Sequence, residues 1–213
     1  MNPCFLENTG LYYVYKYLSD DYDYIGINQH RRQFNLQENM DFSNIFIKYK
    51  IICHKENLRI NVRKHYDNCH NIDDLNTVCD IIINDYPEYK DAVNKLNNIT
   101  YLYTNCCFIT DKETFKDYCN FFFDIIWKYL KKKNLYSLNK IMDYGIRIAY
   151  KKEKAYDKLL KNYIYQSRIA GYLQERIFTI YVLTHFKDDE ILSLNYRQIK
   201  NGNYKFQTNY NIK

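Results

Sequence analysis

The sequence predicts a helix-rich α/β domain, and three observations carry that prediction. Three short apolar runs, YIGI (24–27), IFIKYKIIC (45–53) and YLYTNCCFI (101–109), read as buried strands. Segments with apolar residues at helical spacing separate and follow them, most clearly Phe115, Tyr118, Cys119, Phe122, Ile125, Ile126 and Tyr129. With 213 residues, 1–213 suffices for one core, and two prolines with five glycines argue against a long linker. Interleaved strands and helices place helices on the faces of a sheet.

In chain order, ENTGLYYVYKYL reads as a helix entered through Asn8, Thr9 and Gly10, with Leu11, Val14, Tyr15 and Leu18 on one face. An Asp-rich turn at Asp20, Asp21 and Asp23 precedes the first strand. Helical patterns follow the second strand in NVRKHYDNCH and in LNTVCDIII, capped at Asp73 or Asp74. YPEYKDAVNKL is a further helix with Pro87 in its first turn, where a missing N–H is tolerated. After the third strand, Thr110 and Glu113 have capping-box spacing for the strongly patterned helix. That helix ends in KYLKKK, cations at the negative end of its dipole. The stretch 134–165 is polar and gives no clear pattern, a second strong helix covers about 166–186, and a hairpin is expected at Asn201-Gly202.

Composition narrows the function classes. Net charge is +6, from 31 Lys and Arg against 25 Asp and Glu, which suits an anionic partner: nucleic acid, a phospholipid surface or a nucleotide. The aromatics fall at core spacing and the lysine runs are dispersed, so nucleic acid ranks last. Seven cysteines, an odd number without a C-x-x-C pair, read as reduced thiols of a cytoplasmic protein. Cys53-His54 and Cys69-His70 lack a partner pair at zinc-ligand spacing. No apolar run reaches the ~20 residues of a membrane span, so membrane contact is expected to be peripheral at most.

Two segments carry polar chemistry. YIGINQHRRQF runs an apolar strand directly into Gln29, His30, Arg31 and Arg32, at the strand end where α/β sheets bind ligands. The guanidinium fork fits phosphate oxygens, and a pair of carboxylates on a neighbouring helix is the alternative. In SRIAGYLQERIF, helical spacing puts Arg168, Gly171, Tyr172, Glu175 and Thr179 on one face, opposite Ile169, Leu173, Ile177 and Ile180. Gly171 leaves room for a close approach, and Glu175 is either a base toward a hydroxyl or the ion-pair partner of Arg168 or a more distant arginine.

Taken together, ENTGLYYVYK, YIGINQHRRQF, CFITDKETFKDYCNFFFDII and RIAGYLQERIF, in that order, resemble a family of glycosyltransferases long catalogued as a domain of unknown function. It is found in capsular, exopolysaccharide and O-antigen gene clusters and in some large viruses. The resemblance covers about Glu7 to Phe186, and it departs from the family pattern at Gln29-His30, where the family has His-Tyr, and at Gln33, where it has an aromatic. It implies a GT-A-like nucleotide-sugar transferase fold, N-terminally shortened, because Met1 stands only six residues ahead of Glu7. It further implies transfer of a sugar from a nucleotide-sugar donor to a glycan acceptor hydroxyl, in polysaccharide biosynthesis.

By that resemblance Arg31 and Arg32, with His30 and Gln29, bind the diphosphate, Glu175 is the base, and Glu7, Thr9, Asn105, Arg168, Gly171 and Tyr172 are substrate contacts. Asp21-Tyr22-Asp23 has the spelling of a metal motif but precedes its strand, so no metal or other cofactor is assigned. A divalent ion remains the alternative to the arginine pair. Tyr66 and His70 match a Y-x-x-x-H spacing of the family, with a structural histidine the plainer reading. A catalytically inactive, shortened member that only binds or regulates is the competing function.

Overall fold

A computed structural model describes residues 4–29, 32–36, 40–153 and 157–198. The expected hairpin at Asn201-Gly202, and His30 and Arg31, lie outside the described residues. The helices are α1 (Asn8–Tyr17), α2 (Phe42–Lys48), α3 (Val62–Cys69), α4 (Ile72–Asp85), α5 (Lys90–Lys95), α6 (Lys112–Lys132), α7 (Leu138–Lys151), α8 (Tyr163–Gln166) and α9 (Ile169–His185). The strands are β1 (Tyr24–Ile27), β2 (Arg32–Phe34), β3 (Ile51–Asn57), β4 (Tyr101–Asp111), β5 (Ile191–Ser193) and β6 (Tyr196–Gln198). Among the described residues no helix is long and apolar enough to cross a membrane.

A four-stranded mixed sheet has the order β1-β4-β3-β5, with β4 antiparallel to both neighbours and β5 parallel to β3. Tyr24 faces Asp111 and Ile27 faces Phe108, so the carboxyl end of β1 lies beside the middle of β4. Strands β2 and β6 form a separate antiparallel pair that sets Arg32 opposite Gln198 and Phe34 opposite Tyr196. One sheet face carries the main core, where Phe108, Phe115, Tyr118, Phe122, Phe178 and Tyr181 are buried together. On the other face Phe34, Ile52, Cys107 and Ile109 form a smaller cluster under Phe42, Ile45 and Phe46 of α2. Burying both faces accounts for near-continuous apolar character in Ile51, Ile52 and Cys53.

Several expectations hold and several are corrected. Every residue of the α6 stripe from Phe115 to Tyr129 named above is buried, and Lys131 and Lys132 close the last turn. The second strand begins only at Ile51, because Phe42, Ile45 and Phe46 belong to α2, whose N-cap Asp41 accepts from the Asn44 amide at 3.2 Å. In that helix Ile47 points outward, which an apolar run alone conceals. The cap of α6 is shifted by one residue. Asp111 accepts from the Thr114 amide at 2.9 Å, while the Thr110 hydroxyl donates to the Lys50 carbonyl and ties β4 to the approach to β3. Asn71, not Asp73 or Asp74, occupies the N-cap of α4. The face division of α9 holds in its first half, where Arg168, Gly171, Tyr172 and Glu175 are only partly buried opposite the buried Ile169, Leu173, Ile177 and Ile180, and it fails at Thr179, which is as buried as Leu173.

Gly145 shows how closely the polar stretch 134–165 packs. A Cβ there would stand 2.1 Å from the Ser167 hydroxyl oxygen and 2.5 Å from the Tyr163 carbonyl oxygen, so α7 meets α8 backbone to backbone. Alanine ordinarily favours a helix over glycine by about 1 kcal/mol. Here overpacking reverses that preference: Gly145→Ala is expected to destabilise the protein by about 1–3 kcal/mol, measured by urea unfolding, and a variant as stable as the parent would contradict this packing.

Candidate active site

Charged groups of three sequence segments remote from one another act on one thiol of β4, Cys107, next to the carboxyl end of β1. The chain leaves β1 and turns at Gln29, whose backbone bridges to Arg32, with the Arg32 amide 3.1 Å from the Gln29 carbonyl. The Arg32 guanidinium donates back to the Gln29 side-chain oxygen at 3.0 Å and lies 5.4 Å from the centre of the Tyr196 ring. Beneath them sits Cys107 of β4, fully buried, its sulfur 4.0 Å from the Arg32 carbonyl. Burial raises the Cys107 thiol above its ordinary value, the Gln29 backbone and Arg32 oppose that shift, and the carboxylates of Glu7 and Glu175 add to it. The thiol therefore feels one charged group from each of the three segments.

Glu7 reaches this place through packing at α9. A Cβ on Gly171 would lie 2.7 Å from Leu6 Cδ1, so the room left by that glycine is taken by Leu6, which itself adopts a left-handed backbone with φ 49°. The Cys4 thiol meets the backbone of Ile169 and Ala170 just before it. Glu7 is the N-cap of α1 without a side-chain capping bond, and Thr9 is exposed at the same helix start. Asn8 between them is buried, with neither amide atom hydrogen-bonded. Asn105 lies in the backbone of β4, and Arg168 is the N-cap of α9.

Glu175 is an ion-pair partner, and its arginine is the adjacent Arg176 rather than Arg168. Arg176 is 1% exposed. Its Nη1 donates to Glu175 Oε2 at 2.9 Å and to the Tyr172 carbonyl at 3.1 Å, its Nη2 contacts His65 Nδ1 at 2.9 Å, and its guanidinium faces the Tyr66 ring at 5.0 Å. Since arginine only donates, His65 must accept at Nδ1, which fixes its neutral tautomer with the proton on Nε2. Burial first, and then Arg176, lower the His65 value.

Tyr172 belongs to this supporting cluster. Its ring stacks on buried His70 at 3.9 Å, and its hydroxyl donates to the Tyr165 carbonyl at 2.9 Å. Burial holds His70 well below the usual histidine range. Next to it Asp74, read from sequence as a cap, is buried and accepts from the Tyr144 hydroxyl at 2.6 Å, with Lys133 3.9 Å away. The side chains of this cluster pack without space for a water molecule. From sequence Asp74 has the look of a cap, and Arg176, His65 and Tyr144 stand unmarked apart from the adjacency of Glu175 and Arg176.

Asp21 and Asp23 stand exposed in the turn ahead of β1, as read. Among the described residues no three His, Cys, Asp or Glu side chains form a metal-holding group.

Residues 1–149 match the family described as Domain of unknown function (DUF4422). The chain belongs to that family. Among solved structures, the apo structure of the bifunctional glycosyltransferase WbbM matches with a TM-score of 0.68 and 21% identity over 94% of this chain. The matched part is 37% of the WbbM chain, so this protein spans little more than a third of that length. The likeness establishes an α/β, GT-A-like fold for this DUF4422 member. No curated protein matches the chain.

The supporting cluster of this DUF4422 chain makes a measurable pH signature. Burial raises the Asp74 carboxyl from 3.8 to about 6, so the folded state takes up a proton before the unfolded chain does, and the penalty of the buried anion is relieved as pH falls through about 6. His65 and His70 act with opposite sign, because their lowered values make the unfolded chain bind protons first. Between about pH 7 and about pH 4 the stability difference between Asp74→Asn and the parent should move toward the parent by up to about 3 kcal/mol. Denaturant titrations at the two pH values measure it, and a difference independent of pH would remove Asp74 as its source.

Proposed function

We propose that the protein transfers a glycosyl group from a nucleoside-diphosphate sugar to an acceptor hydroxyl, with Arg31 and Arg32 facing the diphosphate. The observation that carries this reading is Arg32 held by the Gln29 side chain and the Tyr196 ring just beyond the carboxyl end of β1. The fold shared with WbbM, a bifunctional glycosyltransferase, supports the reaction class.

The chemistry needs positive charge where the diphosphate leaves. As the glycosidic bond to phosphate breaks, negative charge builds on the departing oxygens, and guanidinium groups held in place stabilise it without reorganising. Arg32 is tied to Gln29 and Tyr196 before any substrate arrives. Gln29 and His30 are suited to hydrogen bonds with the phosphate or the sugar. Glu175 would accept the proton of the attacking hydroxyl, its Oε2 fixed by Arg176. Glu7 and Thr9, at the positive start of α1, offer polar contacts on the other side, with Asn105 and Arg168 as further substrate contacts. Gly171 and Tyr172 contribute by packing against Leu6 and His70. Fixed cations would replace a metal ion in this scheme.

Arg32→Ala should lower kcat/KM for sugar transfer about 100-fold or more with the unfolding midpoint little changed, and Arg32→Lys should recover only part, because an ammonium lacks the planar fork. Arg31→Ala should behave alike. Activity unchanged by both alanine variants would overturn the leaving-group assignment. Glu175→Gln should act mainly on kcat. Turnover should persist in excess chelator, and its loss there would move the chemistry to a bound ion. Calorimetric titration that detects no sugar nucleotide binding at all would leave only a non-catalytic binding module.

A further inference from the structure

We propose that the outward face of α7 and α8 docks on an anionic lipid bilayer. Helix α7 buries Ile141, Tyr144, Gly145, Ile148 and Ala149 on its inner side, which its stability requires. Residues spaced by four on its other side, Leu138, Met142, Ile146 and Tyr150, form a second apolar strip, exposed at Leu138, Ile146 and Tyr150 and partly covered at Met142, whose sulfur meets the Ser167 hydroxyl. Leu138 is 55% exposed, Ile146 51% and Tyr150 76%. Tyr163 and Ile164 of α8 continue the strip at 43% and 44%. Between the two helices runs an open groove of about 320 Å³ lined by Ile146, Ala149, Tyr150, Glu153, Lys161 and Tyr163. Ile146, Tyr150 and Tyr163 turned outward around one groove, with Leu138 and Ile164 nearby, form a patch of the kind that marks an interaction surface.

Charge decides the occupant. At about 100° per residue, Lys140, Arg147 and Lys151 make a basic strip on the same exposed side as the apolar one, with Asp143 between the two, and Lys158 and Lys161 flank it where the chain approaches α8. Asp143, Glu153 and Asp157 are the acidic groups on the same surface, which leaves the cations in excess. Of the basic strip, Lys140 donates to the Asn134 side chain and Arg147 lies over the Tyr144 ring, so neither is neutralised by a carboxylate in these contacts. Protein interfaces are depleted of lysine. A helix lying in a membrane interface instead sets apolar and tyrosine side chains against the acyl boundary and lets lysines extend to anionic headgroups. The net charge of +6 on the whole chain favours the same approach. The inference makes no use of Arg32, Glu7 or Glu175, so it stands whether or not the chain transfers sugars.

Flotation of the full chain with phosphatidylcholine vesicles, with and without phosphatidylglycerol, tests it. The parent should float with the anionic vesicles and stay behind with the neutral ones. Ile146→Ser combined with Tyr150→Ser leaves the net charge unchanged and is expected to reduce bound protein about tenfold, because the apolar part of the anchor is gone. Lys151→Glu with Lys161→Glu should do the same on anionic vesicles, and the unfolding midpoints of both variants serve as a control for folding. A parent that fails to float, or a serine variant that floats as well as the parent, would overturn the proposal. So would sedimentation showing a dimer that the serine variant dissolves while no vesicle is bound, which would assign the face to a second copy of this chain.

Discussion

A guanidinium buried in the core is the constraint around which the rest is arranged. Arg176 is 1% exposed, and removing such a charge from water is costly unless its donors are met; Nη1 and Nη2 have partners, while the buried Nε has none. The partners come from two elements: Glu175 and the Tyr172 carbonyl from its own helix, His65 and the Tyr66 ring from α3. Satisfying the cation thus fixes the rotation of α9 and its register against α3 together. A buried pair of this sort adds little net stability over an apolar alternative, but losing one partner costs about 3–5 kcal/mol. What it supplies here is position. Because His65 must remain neutral to accept at Nδ1, its protonation would set two cations against each other inside the protein.

That fixed position decides where Glu175 points. The carboxylate is held by Arg176, and its charge acts on the Cys107 thiol together with that of Glu7. Glu7 arrives by a different device, the left-handed backbone at Leu6 seated against Gly171. A non-glycine residue at positive φ costs of order 1–3 kcal/mol and persists only where surrounding packing holds it. Here the packing is α9 itself. The same helix thus carries one carboxylate and docks the segment that carries the other.

Much of this was legible in the sequence, and the gaps have physical causes. Strong periodicity located α6 and α9, and the carboxyl end of YIGI carried the arginines to a strand end, because those signals depend on local pattern alone. The run from Ile45 to Cys53 was misread since an amphipathic helix turn and a strand can share one apolar spelling, and only the Asp41 cap separates them. The polar face assigned to α9 stops short of Thr179 because that residue is satisfied internally, donating to the Glu175 carbonyl and accepting from the Tyr103 amide. Polar residues met by partners far along the chain look, in sequence, like residues meant for water. Asp74 was misread for the same reason: a carboxylate in a first helical turn is ordinarily a surface group favoured by the dipole, and nothing local announces Tyr144, seventy residues away.

The second sheet explains why an arginine at this strand end can stand ready for an anion. Arg32 is not in a free loop: β2 pairs it with β6, and Gln29 holds its backbone and its side chain at once. On its other side the Tyr196 ring meets the guanidinium and is itself packed edge-on against His54 at 4.4 Å. His54 Nδ1 in turn contacts the Leu194 carbonyl at 3.0 Å, which links the arrangement to β3. A cation on a flexible stem would lose rotamer entropy each time it met a phosphate. One laid against an aromatic ring and tied to a glutamine has already lost it on folding, and field strength at the leaving group then depends on placement more than on the number of charges. The small β2–β6 pair, which contributes little to the core, is for that reason as necessary to the proposed chemistry as the large sheet beneath it.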